Sequence, residues 1–272
     1  MKLIKQHYLT LVIIALFAIS PLQVVSQSKS YDFFSFQQIK TDTLFESKQI
    51  ISILSLPLAN NGKYVIEIAY SETELKPTST FAEEENAIAA INASFFDMKN
   101  SGSVTYLEEN NSMIAPAGPL QLPDSLLNGV VIFTKDNKLK FELKKPDRLY
   151  LKSRTEKVVI GTGPLLLAKG HKLNMPEKKR FVAKRHPRTC LCTTTDSLLL
   201  ITVDGRSQVA EGMSLYELQD FLISIKCLEA INLDGGGSTT MWIKDKGVVN
   251  YPSDKTGERK VANVVVIKEI GN

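Results

Sequence analysis

The chain of 272 residues has only three cysteines, Cys190, Cys192 and Cys227, and an odd number does not make a disulfide framework. Cys190 and Cys192 alternate with Leu191 on a strand-like segment, which sets both on one face, and they read best as buried small apolar residues. Histidine is equally scarce. Of three, His7 falls in the N-terminal leader pattern, and no Cys/His cluster has zinc spacing. Charge of one sign is lacking too: the net +4 is scattered over the chain, which argues against a nucleic-acid partner. There is no internal repeat and no linker within the mature region.

What is present begins with a leader. Lys2 and Lys5 precede an apolar run, 9–19, too short for an ordinary membrane span, and Val24-Val25-Ser26 offers small residues for a peptidase. We read 1–26 as a secretory signal, so the mature protein is expected to be exported, periplasmic or extracellular, with no stable membrane insertion after cleavage.

Strand-like segments follow at 49–56 and 64–70, then a short helix through Glu85 capped by Ser79, and a strand, 87–91, that delivers Asn92 at its end. Residues 97–114 are polar with little periodicity and read as one long loop. A hairpin is expected from 129–133 and 139–143, and further strands at 158–160, 165–167, 190–194 and 198–203. The basic segment 169–185 reads as a solvated loop. Ser214 and Glu217 form a capping box for a helix whose stripe of Leu215, Leu218, Phe221, Leu222 and Ile225 faces the core. A last hairpin, 239–251, and an interior strand, 261–267, close the chain.

The stretch 230–240 differs from its surroundings. Asp234 is followed by Gly235-Gly236-Gly237-Ser238-Thr239 between apolar segments. Three glycines cost backbone entropy, which suits positive φ or close approach to a ligand. A flexible linker would lie in polar sequence, and a P-loop needs lysine where Gly237 stands. The strand–helix–strand order 198–233 predicts two parallel strands ending at one sheet edge, so Asp204 and Asp234 should share that edge. The expected fold is α/β of a mixed kind: one domain with a mixed, partly antiparallel sheet, flanking helices and long loops. Residues 27–78 supply N-terminal strands leading into a domain over 79–272.

Six ordered motifs carry a family resemblance: Asn92-Ala93-Ser94-Phe95-Phe96, 161–166, His186-Pro187-Arg188-Thr189, 203–207, 212–215 and Asn232-Leu233-Asp234-Gly235-Gly236-Gly237-Ser238-Thr239. Together they resemble the phosphodiester glycosidase family. Ala93, Cys192 and Lys226 stand where that family usually has glycine. The resemblance implies cleavage of a sugar-1-phosphodiester between the anomeric carbon and the phosphate oxygen. The phosphate monoester leaving group, with a second pKa of about 6, scarcely needs an acid, so the demand falls on charge stabilisation. In this reading Asp234, Asp204 and Arg206 are catalytic, with either aspartate attacking the anomeric carbon or activating water. Arg188, Arg206, Ser238, Thr239 and the amides of Gly235, Gly236 and Gly237 hold the phosphate. Asn92 and Asn232 bond sugar hydroxyls, and Phe95, Phe96, Gly163 and Thr189 complete the binding set. His186 is a weaker candidate, and an ion pair with the aspartates is the plain alternative for either arginine. No cofactor is required. The rival readings are binding of a cell-envelope glycan without cleavage, and a phosphodiesterase using Asp204 and Asp234 as ligands for a hard divalent cation.

Overall fold

A computed structural model describes residues 33–59, 62–118, 126–175 and 180–271; the leader expected over 1–26 lies outside them. Apolar runs rich in β-branched residues make most of this chain strand. In order, the elements are β1 (Ser35–Thr41), β2 (Gln49–Pro57), β3 (Tyr64–Tyr70), α1 (Thr78–Glu84), β4 (Ala89–Asn92), β5 (Leu107–Glu109), β6 (Ser112–Ala115), β7 (Gly129–Thr134) and β8 (Leu139–Leu143). Then come α2 (Asp147–Tyr150), β9 (Glu156–Thr162), β10 (Leu165–Ala168), β11 (His171–Lys172), α3 (Arg180–Ala183), β12 (Arg188–Thr193) and β13 (Ser197–Val203). The chain ends with α4 (Leu215–Ser224), β14 (Glu229–Asn232), β15 (Met241–Ile243), β16 (Gly247–Val248) and β17 (Asn263–Glu269).

The strands form three sheets in the orders β1-β2-β13-β12-β14-β10-β11, β16-β15-β4-β17-β3 and β6-β5-β9-β7-β8. Every pairing among the described residues is antiparallel. The protein is therefore mostly sheet with few helices, so the mixed α/β label fits loosely and the antiparallel part of the expectation dominates. The inner faces share one core, to which Leu54, Ile91, Val131, Ile160, Leu191, Ile231 and Val265 contribute. Helix α4 covers the other face of the seven-stranded sheet with Leu215, Leu218, Phe221 and Leu222, and its Ser214–Glu217 capping box is formed. Helix α1 covers the outer face of the second sheet through Phe81 and Ala82.

Several local expectations are corrected. Helix α1 has Pro77 at its N-cap, and proline has no side-chain acceptor to cap with; the Ser79 amide donates to the Glu258 carboxylate. The segment 97–114 is not one loop, since β5 and most of β6 lie in it and Asn110 and Asn111, both at positive φ, make their turn. Within 169–185, β11 and α3 interrupt the loop. Cys190 and Cys192 are both buried against α4, but Cys192 is bonded to Cys227, 35 residues on, leaving Cys190 free. Chain order alone hides that pairing, because Cys227 reaches β12 only once α4 has turned the chain back.

Strands β13 and β14 run in the same direction, as the crossover predicts, yet they are not neighbours. Strand β12 lies between them and pairs with both. The ends of β13 and β14 consequently flank the start of β12, bringing 186–189, 204–206 and 233–238 to one sheet edge.

Candidate functional site

The three sheets meet at this edge, and polar side chains join them. Asn92, at the end of β4, donates to the Asp234 carbonyl at 2.6 Å and accepts from Thr189 Oγ1 at 2.9 Å and the Thr240 amide at 3.1 Å. Ser94 donates to the Gly161 carbonyl and lies 2.6 Å from Thr105 Oγ1. Thr162 donates to the Asn232 carbonyl at 3.1 Å. Asn232 itself donates to the Gly163 carbonyl at 2.8 Å and the Leu233 carbonyl at 2.6 Å. These groups are buried, so each bond satisfies a polar atom that would otherwise cost about 1–3 kcal/mol.

The backbone after β14 is fixed in the same way. The Leu233 amide donates to the Thr189 carbonyl at 2.8 Å, Asp234 to Ala93 at 2.8 Å and Gly236 to Pro187 at 2.9 Å. Residues Gly236–Ser238 then make one 3-10 turn. Asp234 keeps an exposed edge, yet it is crowded enough that burial pushes its pKa up to about 6 against the opposing pull of Ser238, Arg259, the Gly235 amide and Arg206. Among the described residues, Ser238 Oγ is buried without a partner of hydrogen-bonding geometry, so its effect on Asp234 is that of a nearby dipole.

Two guanidiniums lie against this turn. Arg206 is exposed and holds φ of 61°, a left-handed backbone rare for a long side chain and costing about 1–3 kcal/mol. Among the described residues its one side-chain bond is a long contact, 3.5 Å, to His186 Nδ1. A Cβ on Gly236, where φ is +64°, would sit 2.8 Å from Arg206 Nη2. A Cβ on Gly237 would sit 2.1 Å from Arg259 Nη2 and 2.2 Å from Asp254 Oδ1. Arg259 and Asp254 are themselves paired, Nε to Oδ2 at 2.8 Å and Nη2 to Oδ1 at 3.0 Å. Successive glycines thus leave room for successive arginines beside one carboxylate. Desolvation and the neighbouring Arg188 and Arg206 charges push His186 down to about 4, so this imidazole is neutral at physiological pH.

The sequence-derived residues divide accordingly. The structure brings together Asp234, Arg206, Gly235, Gly236 and Gly237, with Asn92, Thr189, Ser238 and Thr239 buried directly beneath. The Gly236 amide is committed to Pro187 and the Gly235 amide acts on Asp234, so the expected cradle of three glycine amides is reduced. Arg188 is elsewhere. It is 1% exposed and donates to the carbonyls of Met213 at 2.8 Å, Phe181 at 2.7 Å and Lys184 at 3.1 Å, with its guanidinium over the Phe181 ring. Burial pushes its pKa down to about 9, which still leaves it charged at neutral pH.

Asp204 reaches the same edge, as expected, but its carboxylate is turned to other partners. It is 2% exposed; its Oδ1 accepts from Asn250 Nδ2 at 2.9 Å and the Tyr251 amide at 3.0 Å, while Oδ2 has no partner among the described residues. Burial raises its pKa to about 6. Asn232 and Gly163 bond each other, and the Gly163 backbone presses on Leu126, whose carbonyl would meet a Cβ at 2.6 Å. Phe95 is buried near Phe181, and Phe96 packs half-buried on the α1 side. Among the described residues, no three or more His, Cys, Asp or Glu side chains gather as metal ligands. Sequence reasoning missed Arg259 and Asp254. Both lie in the polar segment 251–260, which has no periodic signal to single them out.

Comparison with known proteins bears on family and fold. The family model described as phosphodiester glycosidase matches residues 85–268. A segment of 84 residues is 37% identical to the SPbeta prophage-derived protein YomE of Bacillus subtilis, spanning 30% of this chain and 13% of that protein. A segment of 78 residues is 37% identical to bovine N-acetylglucosamine-1-phosphodiester alpha-N-acetylglucosaminidase, spanning 26% of this chain and 14% of the relative. The matches thus span about one seventh of these relatives' lengths. The catalytic domain of the zebrafish N-acetylglucosamine-1-phosphodiester alpha-N-acetylglucosaminidase superposes with a TM-score of 0.69 at 20% identity, covering 87% of this chain and 83% of that one. A Synechocystis protein superposes with a TM-score of 0.67 at 14% identity, covering 86% and 62%. At such identities the superpositions speak for the fold.

Proposed function

The chain belongs to the phosphodiester glycosidase family, and from that premise we propose that it hydrolyses a sugar-1-phosphodiester at the bond between the anomeric carbon and the phosphate oxygen, with Asp234 as the general base. The observation that carries this reading is the placing of Asp234, a partly exposed residue, on a glycine turn beside an exposed guanidinium with one long side-chain contact among the described residues.

In this reading Arg206 binds the phosphate. As the C1–O bond breaks, its electron pair passes to the phosphate oxygen, and the departing monoester gains a second negative charge. A guanidinium fork stabilises that charge in the transition state more than in the bound diester. Water adds to C1, its proton passing to Asp234 and from there to solvent. A carboxyl poised at about 6 is ionised at neutral pH and basic enough to take that proton. Asn92 and Thr189 act from below, holding the Asp234 backbone and the Thr239 hydroxyl. Neutral His186 steadies Arg206 without competing for it.

The substrate class is a glycosyl phosphodiester. The name of the mammalian relatives makes N-acetylglucosamine 1-(methyl phosphate) the first probe to use. The leader pattern and the Cys192–Cys227 bond suit action outside the cytoplasm, where disulfides persist. No helix among the described residues is long and apolar enough to cross a membrane.

Asp234→Asn tests the assignment. At neutral pH it should fold with a melting midpoint no lower than the wild type's, and lower kcat by about 10²-fold or more. In the wild type, kcat/KM should fall as pH drops through about 6, the value to which Asp234 is raised, because protonation removes the base. A variant within threefold of wild-type kcat would sink the role of Asp234.

A further inference from the structure

Resting on the phosphodiester reading above, we propose that Arg259 is the second cation of the phosphate site and that Asp254 is the positioning residue that aims it. The pair lies flat on the third residue after Asp234: a Gly237 Cβ would stand 2.1 Å from Arg259 Nη2 and 2.4 Å from its Cζ. Asp254 takes up Nε and Nη2 in a two-point grip. Nη1 makes no bond to any described residue, so one edge of the fork remains for a ligand. Arg259 also lowers the Asp234 pKa, ahead of Arg206 in its effect, which places its charge beside the same carboxylate.

The two arginines arrive from different arms of the fold. Arg206 follows β13, and Arg259 precedes β17; they meet adjacent glycines of one turn. A phosphodiester carries one negative charge on two non-bridging oxygens, and a guanidinium on each side gives each oxygen its own donor. An ordinary part-exposed ion pair accounts for less. Such a pair stabilises a protein little and gives no reason to keep position 237 free of a side chain. Binding does, because the guanidinium plane must be held at a fixed height above the turn.

The test is calorimetric titration of the full chain with methyl phosphate, together with kcat/KM on N-acetylglucosamine 1-(methyl phosphate). Arg259→Gln should weaken methyl phosphate binding tenfold or more, with Arg259→Lys intermediate because it keeps the charge and loses the fork. Asp254→Asn should weaken binding less, and adding it to Arg259→Gln should change nothing further, since a positioning residue acts only through its partner. Gly237→Ala retains every charge but displaces the pair, and should weaken methyl phosphate binding about fivefold or more without a matching loss of stability. Methyl phosphate affinity unchanged within twofold in Arg259→Gln, or independent additive losses from Asp254→Asn, would overturn the proposal. If the wild type binds methyl phosphate without turning over the diester, the Asp234 reading fails while the titration still decides Arg259. A wild type that binds no methyl phosphate overturns the Arg259 assignment.

Discussion

Arg188 and Arg206 sit eighteen positions apart in sequence, and their surroundings are opposite. Arg188 is sealed, and its donors hold three carbonyls that anchor 181–184 and Met213 to the start of β12. Arg206 is exposed, with a strained backbone and almost nothing to bond. Arg188→Met should therefore act on stability, by about 3 kcal/mol in urea unfolding through the carbonyls left unpaired, with KM changed less than threefold. A tenfold rise in KM at unchanged stability would return Arg188 to the substrate. The sequence marks both arginines equally, because each follows a motif residue and neither burial nor bonding partner is written locally. The same holds for Asn92, Ser94, Thr162 and Asn232. Their type and their positions at strand ends are legible, but their work is to join sheets, which depends on strands distant in the chain.

At the scale of elements, the crossover through α4 was readable from the capping box and the helical stripe, and it correctly sets β13 and β14 in one direction. What it conceals is β12 between them, since a preceding hairpin partner can insert into the sheet without altering either strand's pattern. That insertion separates the two aspartates' surroundings. Asp204 turns to Asn250 and Tyr251, and Asp234 to the glycine turn. The folded Asp204 carboxyl titrates near 6, above the unfolded value of about 4, so the folded state binds the extra proton. Its contribution to stability is accordingly greatest at low pH and is lost as pH rises from about 4 to about 6. Asp204→Asn should flatten that part of the stability profile, measured as urea midpoints between pH 4.5 and 7; an unchanged slope would contradict the burial argument. The Cys192–Cys227 bond ties β12 to the turn after α4, and Cys227→Ser should cost about 2–4 kcal/mol. Equal midpoints for oxidised wild type and variant would show that the link adds nothing.

For the molecule as a whole, three antiparallel sheets share a core and converge on one edge, so that loops from each meet around Asp234. Strand positions were largely legible because alternation and apolar runs act locally. The three-sheet arrangement was not, because antiparallel partners such as β3 and β17 lie nearly two hundred residues apart. The second arginine was hidden for the same reason: 251–260 has no periodicity, and only folding lays it on Gly237. On the proposed function, the assembled site breaks carbon–oxygen rather than phosphorus–oxygen bonds. Hydrolysis of N-acetylglucosamine 1-(methyl phosphate) in oxygen-18 water tests it directly, with products read by mass spectrometry. The label is expected in the released sugar, with methyl phosphate unlabelled; label in the phosphate, or no turnover by the wild type, would overturn the proposed function.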